Sequence, residues 1–129
     1  MSTSLGKIML LALVASPAAA LSCYSYNDYD DKAHIIHHQK YCMAIYEVND
    51  HQATFGGGTR HPSEVSNIRN MAPGKDCQLQ NVVSNMGPPA DMWLCFCFED
   101  HCNYPFQWEE FEKRGFTLAQ KVGPAQKKV

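Results

Sequence analysis

Three histidines in the stretch HIIHH (His34, His37 and His38) and three cysteines in CFCFEDHCN (Cys95, Cys97 and Cys102) are the side chains best equipped for chemistry. Histidines at i and i+3 on a helix can hold a divalent metal. On a strand, adjacent His37 and His38 would point to opposite faces, and no acidic residue stands at a matching spacing, so HIIHH reads as a polar tip segment. A histidine-based metal binder stays as an alternative, and an ordinary histidine pKa of about 6.5 would give these residues a weak acid sensitivity. A zinc site from Cys95, Cys97, His101 and Cys102 lacks the paired spacings of zinc ribbons and fingers. No C-x-x-C redox pair is present, and Cys95 and Cys97 on one strand would share a face. Ser63, Ser66 and Ser84 have no nucleophile-elbow glycine frame, and Asp30 and Asp31 lack the neighbours that would make them an acid–base pair. The chain is therefore expected to be no enzyme, with no catalytic residue, no metal and no cofactor.

Sulfur chemistry depends on compartment. The opening MSTSLGKIMLLALVASPAAA places Lys7 before an apolar run, Ile8 to Val14, and small residues at Ala18 and Ala20. This is the pattern of a secretory signal peptide over residues 1–20, and the run is too short to span a bilayer. Cleavage would leave 109 residues with ten basic against thirteen acidic side chains, a formal charge of −3. Nucleic acid is not an expected partner, because phosphate binding needs a basic stripe and the only basic cluster is Lys121, Lys127 and Lys128. No Asn-x-Ser/Thr glycosylation site occurs.

All six cysteines, Cys23, Cys42, Cys77, Cys95, Cys97 and Cys102, follow the cleavage point. An even count in a small secreted domain reads as three disulfides, for which fifteen pairings exist. The elements that must position them are short strands. LSCYSYN reads as a first strand and Asn27–Asp31 as an acidic turn. QKYCMAIYEV puts Tyr41, Met43, Ile45 and Glu47 on one face and Cys42, Ala44, Tyr46 and Val48 on the other. Asn49 and Asp50 break it, and HQATF returns beside it. Gly56–Pro62 reads as loop, because three glycines lose more backbone entropy on ordering than a strand recovers. PSEVSNIRNM suggests a short helix capped by Ser63, with Val65, Ile68 and Met71 along one side. CQLQNVV and DMWLCFCF then pair around a Gly87-Pro88-Pro89 tip. In this arrangement the cysteines bracket hairpins: Cys23 with Cys42, Cys77 with Cys95, and Cys97 with Cys102 around a small terminal loop.

The opening LSCYSY together with Cys97, Asp100, Cys102 and Asn103, a cysteine, two residues, an aspartate, one residue, then cysteine and asparagine, resembles the lymphocyte-antigen and urokinase-receptor domain family, whose fold is shared with three-finger toxins. The resemblance spans residues 21–103. It implies an all-β, disulfide-rich three-finger antiparallel sheet, the same three disulfide pairs, and a structural role for Asp100 and for Asn103, whose amide would tie the hairpin bases together. Tyr26 stands where the family places a second cysteine and Phe96 splits its usual adjacent pair, which leaves residues 43–76 with the fewest covalent restraints.

The remainder, 104–129, reads as a C-terminal extension with a short amphipathic helix. Trp108, Phe111 and Leu118 would lie on one side, packed back onto the sheet or free for a partner. Its charges do not fit a lipid-anchor signal. The expectation is a secreted, extracellular monomer that binds and modulates an extracellular or cell-surface protein such as a receptor or ion channel. Contacts would come from the tips His34–His38, Asn49–Phe55 (Asn49, Asp50, His51, Phe55) and Met86–Asp91 (Met86, Pro88, Pro89). A structural protein that self-associates through sheet edges and tail is the competing reading.

Overall fold

Alternation of apolar and polar residues around three tight reversals produces one antiparallel sheet in the computed structural model, which describes residues 20–27, 30–85 and 87–119. The strands are β1 (Leu21–Asn27), β2 (Asp30–Gln39), β3 (Tyr41–Glu47), β4 (Ala53–Gly58), β5 (Cys77–Ser84) and β6 (Gly87–Cys97). They run in the order β2-β1-β4-β3-β6-β5. Three hairpins in sequence, β1–β2, β3–β4 and β5–β6, thus lie side by side as three fingers. Apart from Ala20, the predicted signal segment lies outside the described residues, as do Asp28 and Tyr29 of the predicted acidic turn, Met86 of the predicted third tip and residues 120–129 of the predicted extension.

Strand β3 shows why the sheet needs cover on both sides. Ala44 and Tyr46 are buried in one cluster, while Tyr41 belongs to the other with Met43 and Ile45 packed against it. The segment from Gly56 is strand as far as Gly58, not loop. A Cβ at Gly58 would fall on the Tyr41 ring, and one at Gly57 would sit 2.8 Å from Gln39 Oε1 and 3.0 Å from the Tyr41 carbonyl. At Gly57 and Gly58 neighbours occupy the space a side chain would need, and that tertiary contact outweighs the entropic cost of glycine in a strand.

On the Tyr41 side, Val65, Ile68 and Met71 pack against Tyr41, Leu94 and Phe96. They come from a broken element rather than one helix: a 3-10 turn, Pro62–Glu64, and a short helix α1, Ser66–Arg69, separated by extended Val65. Ser63 is not the cap; its N–H is accepted by His61 Nδ1 at 3.1 Å. The tip of the last hairpin also differs from expectation. Ser84 pairs with Gly87, so Pro88 and Pro89 lie in β6, where Val82 pairs with Ala90 and the register shifts before Ser84. Two adjacent prolines offer no N–H to a ladder, and a bulge is where a strand tolerates them.

On the Tyr46 side, the predicted extension completes the core. Helix α2 (Trp108–Lys113) buries Trp108 and Phe111, and Leu118 follows it inward. Phe111 stacks on Tyr46 at 3.9 Å between ring centroids, and the Tyr46 hydroxyl donates to the Phe106 carbonyl at 2.8 Å. Gly115, at φ 85°, ends the helix in the left-handed conformation, with the Phe116 N–H bonded back to the Phe111 carbonyl at 3.0 Å. Phe116 is itself left-handed, φ 63°, and its ring stacks on Trp93 at 4.6 Å. The Asp76 carboxylate, just before β5, accepts from Thr117 Oγ1 and from the N–H groups of Leu118 and Ala119. Residues 104–119 are thus part of the folded unit.

Candidate functional site

The finger roots converge on a palm made by cysteines and one asparagine. The disulfides are Cys23–Cys42, Cys77–Cys95 and Cys97–Cys102, as the hairpin brackets and the family resemblance both predict. Asn103 has no solvent exposure. Its Oδ1 accepts from the Tyr24 N–H at 2.9 Å, and its Nδ2 donates to the carbonyls of Tyr24, Met43 and Gly56 at 3.0, 2.9 and 3.0 Å. One side chain therefore bonds β1, β3 and β4 at once, and a buried amide needs such partners to offset its desolvation. Asp100 Oδ1 accepts from the Ser22 N–H at 2.9 Å, and the His101 N–H returns to the Ser22 carbonyl at 2.7 Å. This double link clamps the Cys97–Cys102 loop to the start of β1.

The predicted contact residues separate into exposed and engaged. His34, His37 and His38 lie not at a tip but along β2, an edge strand of the sheet. The His37 Nδ1 is 2.8 Å from Ser22 Oγ, and His38 takes a left-handed φ of 63°. Among the described residues no three His, Cys, Asp or Glu side chains gather as metal ligands would. In the second finger Asn49 and Asp50 are exposed at the turn. His51, also left-handed, stacks on Trp108 at 4.4 Å and so braces the tip against α2. Phe55 is no tip residue: only 3% exposed, it sits in the core against Tyr26 and Tyr46. Through its contact with Phe55, Tyr26 of β1 contributes packing to the central finger. Pro88 and Pro89 are exposed.

Electrostatics at the second tip are acidic. Glu47 is held above the ordinary glutamate range by desolvation first, then by the charge of Asp50 and a side-chain hydrogen bond with it.

Sequence reasoning missed a second exposed feature beside the palm. Tyr104 and Phe98 are half-exposed. Tyr24 lies edge-on to Tyr104 at 5.4 Å and near His101 at 5.6 Å, while Tyr104 meets Phe106 at 5.1 Å and Arg114 covers the Phe106 ring at 4.0 Å. A groove of about 750 Å³ runs alongside, lined by Phe98, Glu99, His101 and Tyr104 among others. Tyr24 comes from β1, Phe98 from the residue after β6, and Tyr104 and Phe106 from the segment after Asn103, so only the fold brings them together; the signal available in sequence was the run NYPF following the last cysteine.

This geometry defines a small, disulfide-rich β domain whose fingers are fixed at their roots by disulfides and Asn103, with the second tip braced against α2 by His51. The model of the family described as EGAP4-like C-terminal domain matches residues 22–115, and the chain belongs to that family. The matched span runs past Asn103 through α2 to Gly115, the same region that completes the core. No curated protein and no solved structure matches the chain.

Proposed function

We propose that this protein is a secreted, non-enzymatic three-finger module, of the lymphocyte-antigen and urokinase-receptor type, that binds an extracellular or cell-surface protein and modulates it. The observation that carries this reading is the contrast between palm and periphery. The roots are held by three disulfides and the buried Asn103 amide, whereas Asn49, Asp50, Pro88 and Pro89 at the tips and the Tyr104–Phe98 patch beside the palm are exposed. A covalently braced root lowers the ordering cost of presenting such surfaces to a partner. Exposed aromatics beside charged groups are the side chains from which binding hot spots are most often built.

The leader-like residues 1–20 support secretion, which suits a domain whose described cysteines are all paired. No helix among the described residues is long and apolar enough to cross a membrane. The test has two parts. Expression in secretory cells should release a chain beginning at Leu21, read by N-terminal sequencing. The labelled product should then bind target cells saturably, and Asp50→Lys or Tyr104→Ala should weaken that binding at least tenfold without altering the circular dichroism spectrum. Retention inside the cell with the leader intact, or binding that neither saturates nor responds to either substitution, would overturn the reading.

A further inference from the structure

The two edges of the sheet are built differently. Strand β2 carries Asp30, Asp31 and Lys32, meets β1 through two register shifts, and contains left-handed His38. Charges and irregularities of this kind are how proteins protect an edge from pairing with another chain. Strand β5 carries no charge, no proline and no left-handed residue: Gln78, Leu79, Gln80, Asn81, Val82, Val83 and Ser84 are all uncharged. Its register with β6 runs unbroken from Cys77 to Val82, and the extra residue of the shift beyond falls on β6, at Pro88 and Pro89.

The backbone phase of β5 follows from one hydrogen bond. The Phe96 N–H donates to the Asp76 carbonyl at 2.8 Å, which with the pairing of Cys77 to Cys95 makes the even-numbered residues of β5 the ones that exchange hydrogen bonds with β6. Leu79, Asn81 and Val83 therefore direct their N–H and C=O groups away from β6, and among the described residues no strand pairs with that side. The same residues carry exposed side chains, with Leu79 at 50% and Val83 at 73%.

We infer that β5 is a self-pairing edge, on which a second copy of this chain adds its own β5 antiparallel about a two-fold axis at Asn81. In that register Asn81 meets its own copy, and Leu79 and Val83, equally spaced on either side, each meet the other in the second chain. All of these positions have outward backbone groups, as a hydrogen-bonded antiparallel pair requires. The register places apolar side chains directly across from one another on one face, where cross-strand pairs stabilise a sheet, and no charge opposes a like charge. It also extends an apolar stripe already present, since Leu79 is paired with Trp93, whose ring is stacked on Phe116. The result is an isologous dimer with a continuous sheet through both copies, in place of the monomer expected from the sequence. One pair of short strands makes an interface at the small end of the known range, so the dimer is a concentration-dependent one. The inference stands independently of the identity of any receptor.

The test is sedimentation equilibrium of the protein recovered oxidised from expressing cells, over a wide concentration range. The unaltered chain should fit a monomer–dimer equilibrium. Leu79→Lys with Val83→Lys sets like charges opposite each other and should raise the dissociation constant at least tenfold. Leu79→Lys with Val83→Glu in the same chain sets each introduced lysine opposite the other copy's glutamate and should restore dimers. Both positions are exposed, and an unchanged thermal midpoint would confirm that folding is intact. A chain that stays monomeric at every concentration, or a dimer indifferent to the two-lysine variant, would overturn the inference. So would a monomer whose cell binding is abolished by that variant, because the edge would then receive a foreign strand.

Discussion

Replacement of Asn103 should be the most costly polar substitution in the domain, and its consequences follow from geometry. Asn103→Ala removes the acceptor of the Tyr24 N–H and the donor to the carbonyls of Tyr24, Met43 and Gly56, all at a site with no solvent exposure. An amide has two hydrogens for these three carbonyls, so one bond is shared, and strand carbonyls retain a second lone pair for other partners. The main loss is the orphaned Tyr24 N–H with partial loss at the carbonyls. At roughly 1–3 kcal/mol for a buried group left unsatisfied, the total is about 3 kcal/mol. For a domain of this size that corresponds to a fall in midpoint on the order of 15 °C. Asn103→Asp separates donor from shape. Its carboxylate would face the same three carbonyl oxygens with one N–H in support, which holds the folded-state pKa above the ordinary aspartate range. A raised folded pKa means that the variant is most stable below the unfolded pKa of about 4 and loses stability as pH rises through the folded value. The assay is thermal and urea unfolding with the disulfides intact, from pH 3 to 8. A cost below about 1 kcal/mol for the alanine variant, given the 1–3 kcal/mol expected for each unsatisfied group, would refute the reasoning. An aspartate variant that grows more stable with rising pH would do the same.

Other consequences are equally open to measurement. Phe111→Ala should cost about 3–5 kcal/mol, since the ring is fully buried and stacked on Tyr46, and a urea midpoint close to that of the unaltered chain would show that residues past Asn103 are not core. Gly58→Ala should destabilise by about 1–3 kcal/mol because the new Cβ meets the Tyr41 ring, and pairing it with Tyr41→Ala should recover part of that loss in a double-mutant cycle. The Glu47 carboxyl, followed by NMR, should titrate above the ordinary glutamate range and move down in Asp50→Asn. Because its folded pKa is raised, Glu47 contributes stability that is present below the unfolded pKa and lost as pH rises through the folded one, a dependence that Glu47→Gln should abolish.

The hairpins and disulfides were legible in the sequence because two independent patterns agree. Alternation marks β1, β3 and β6, and the cysteines fall at the ends of the hairpins that alternation defines. The inward faces of β3 and of α2 were legible for the same reason, since periodicity records which side is buried. Four features were not. The glycines of β4 look like a loop until the Tyr41 ring is placed above Gly58, and no local pattern reports that contact. Strand β2 looks like a polar tip because an edge strand with little buried surface leaves no apolar alternation. His51 and Phe55 were grouped as tip residues by proximity to Asn49 and Asp50, whereas one stacks on Trp108 and the other enters the core. The aromatic patch around Tyr104 likewise depends on Tyr24, distant in sequence, and exists only once Asn103 has joined the two segments.

The proposed binding of a protein partner depends on the braced palm. Its most direct test compares cell binding of the native chain with that of the same chain after reduction and alkylation of its six cysteines, each in competition with unlabelled native protein. Loss of competable binding by at least tenfold on reduction is the predicted result. Equal competable binding by the reduced chain would place recognition in a linear segment and contradict a role for the palm.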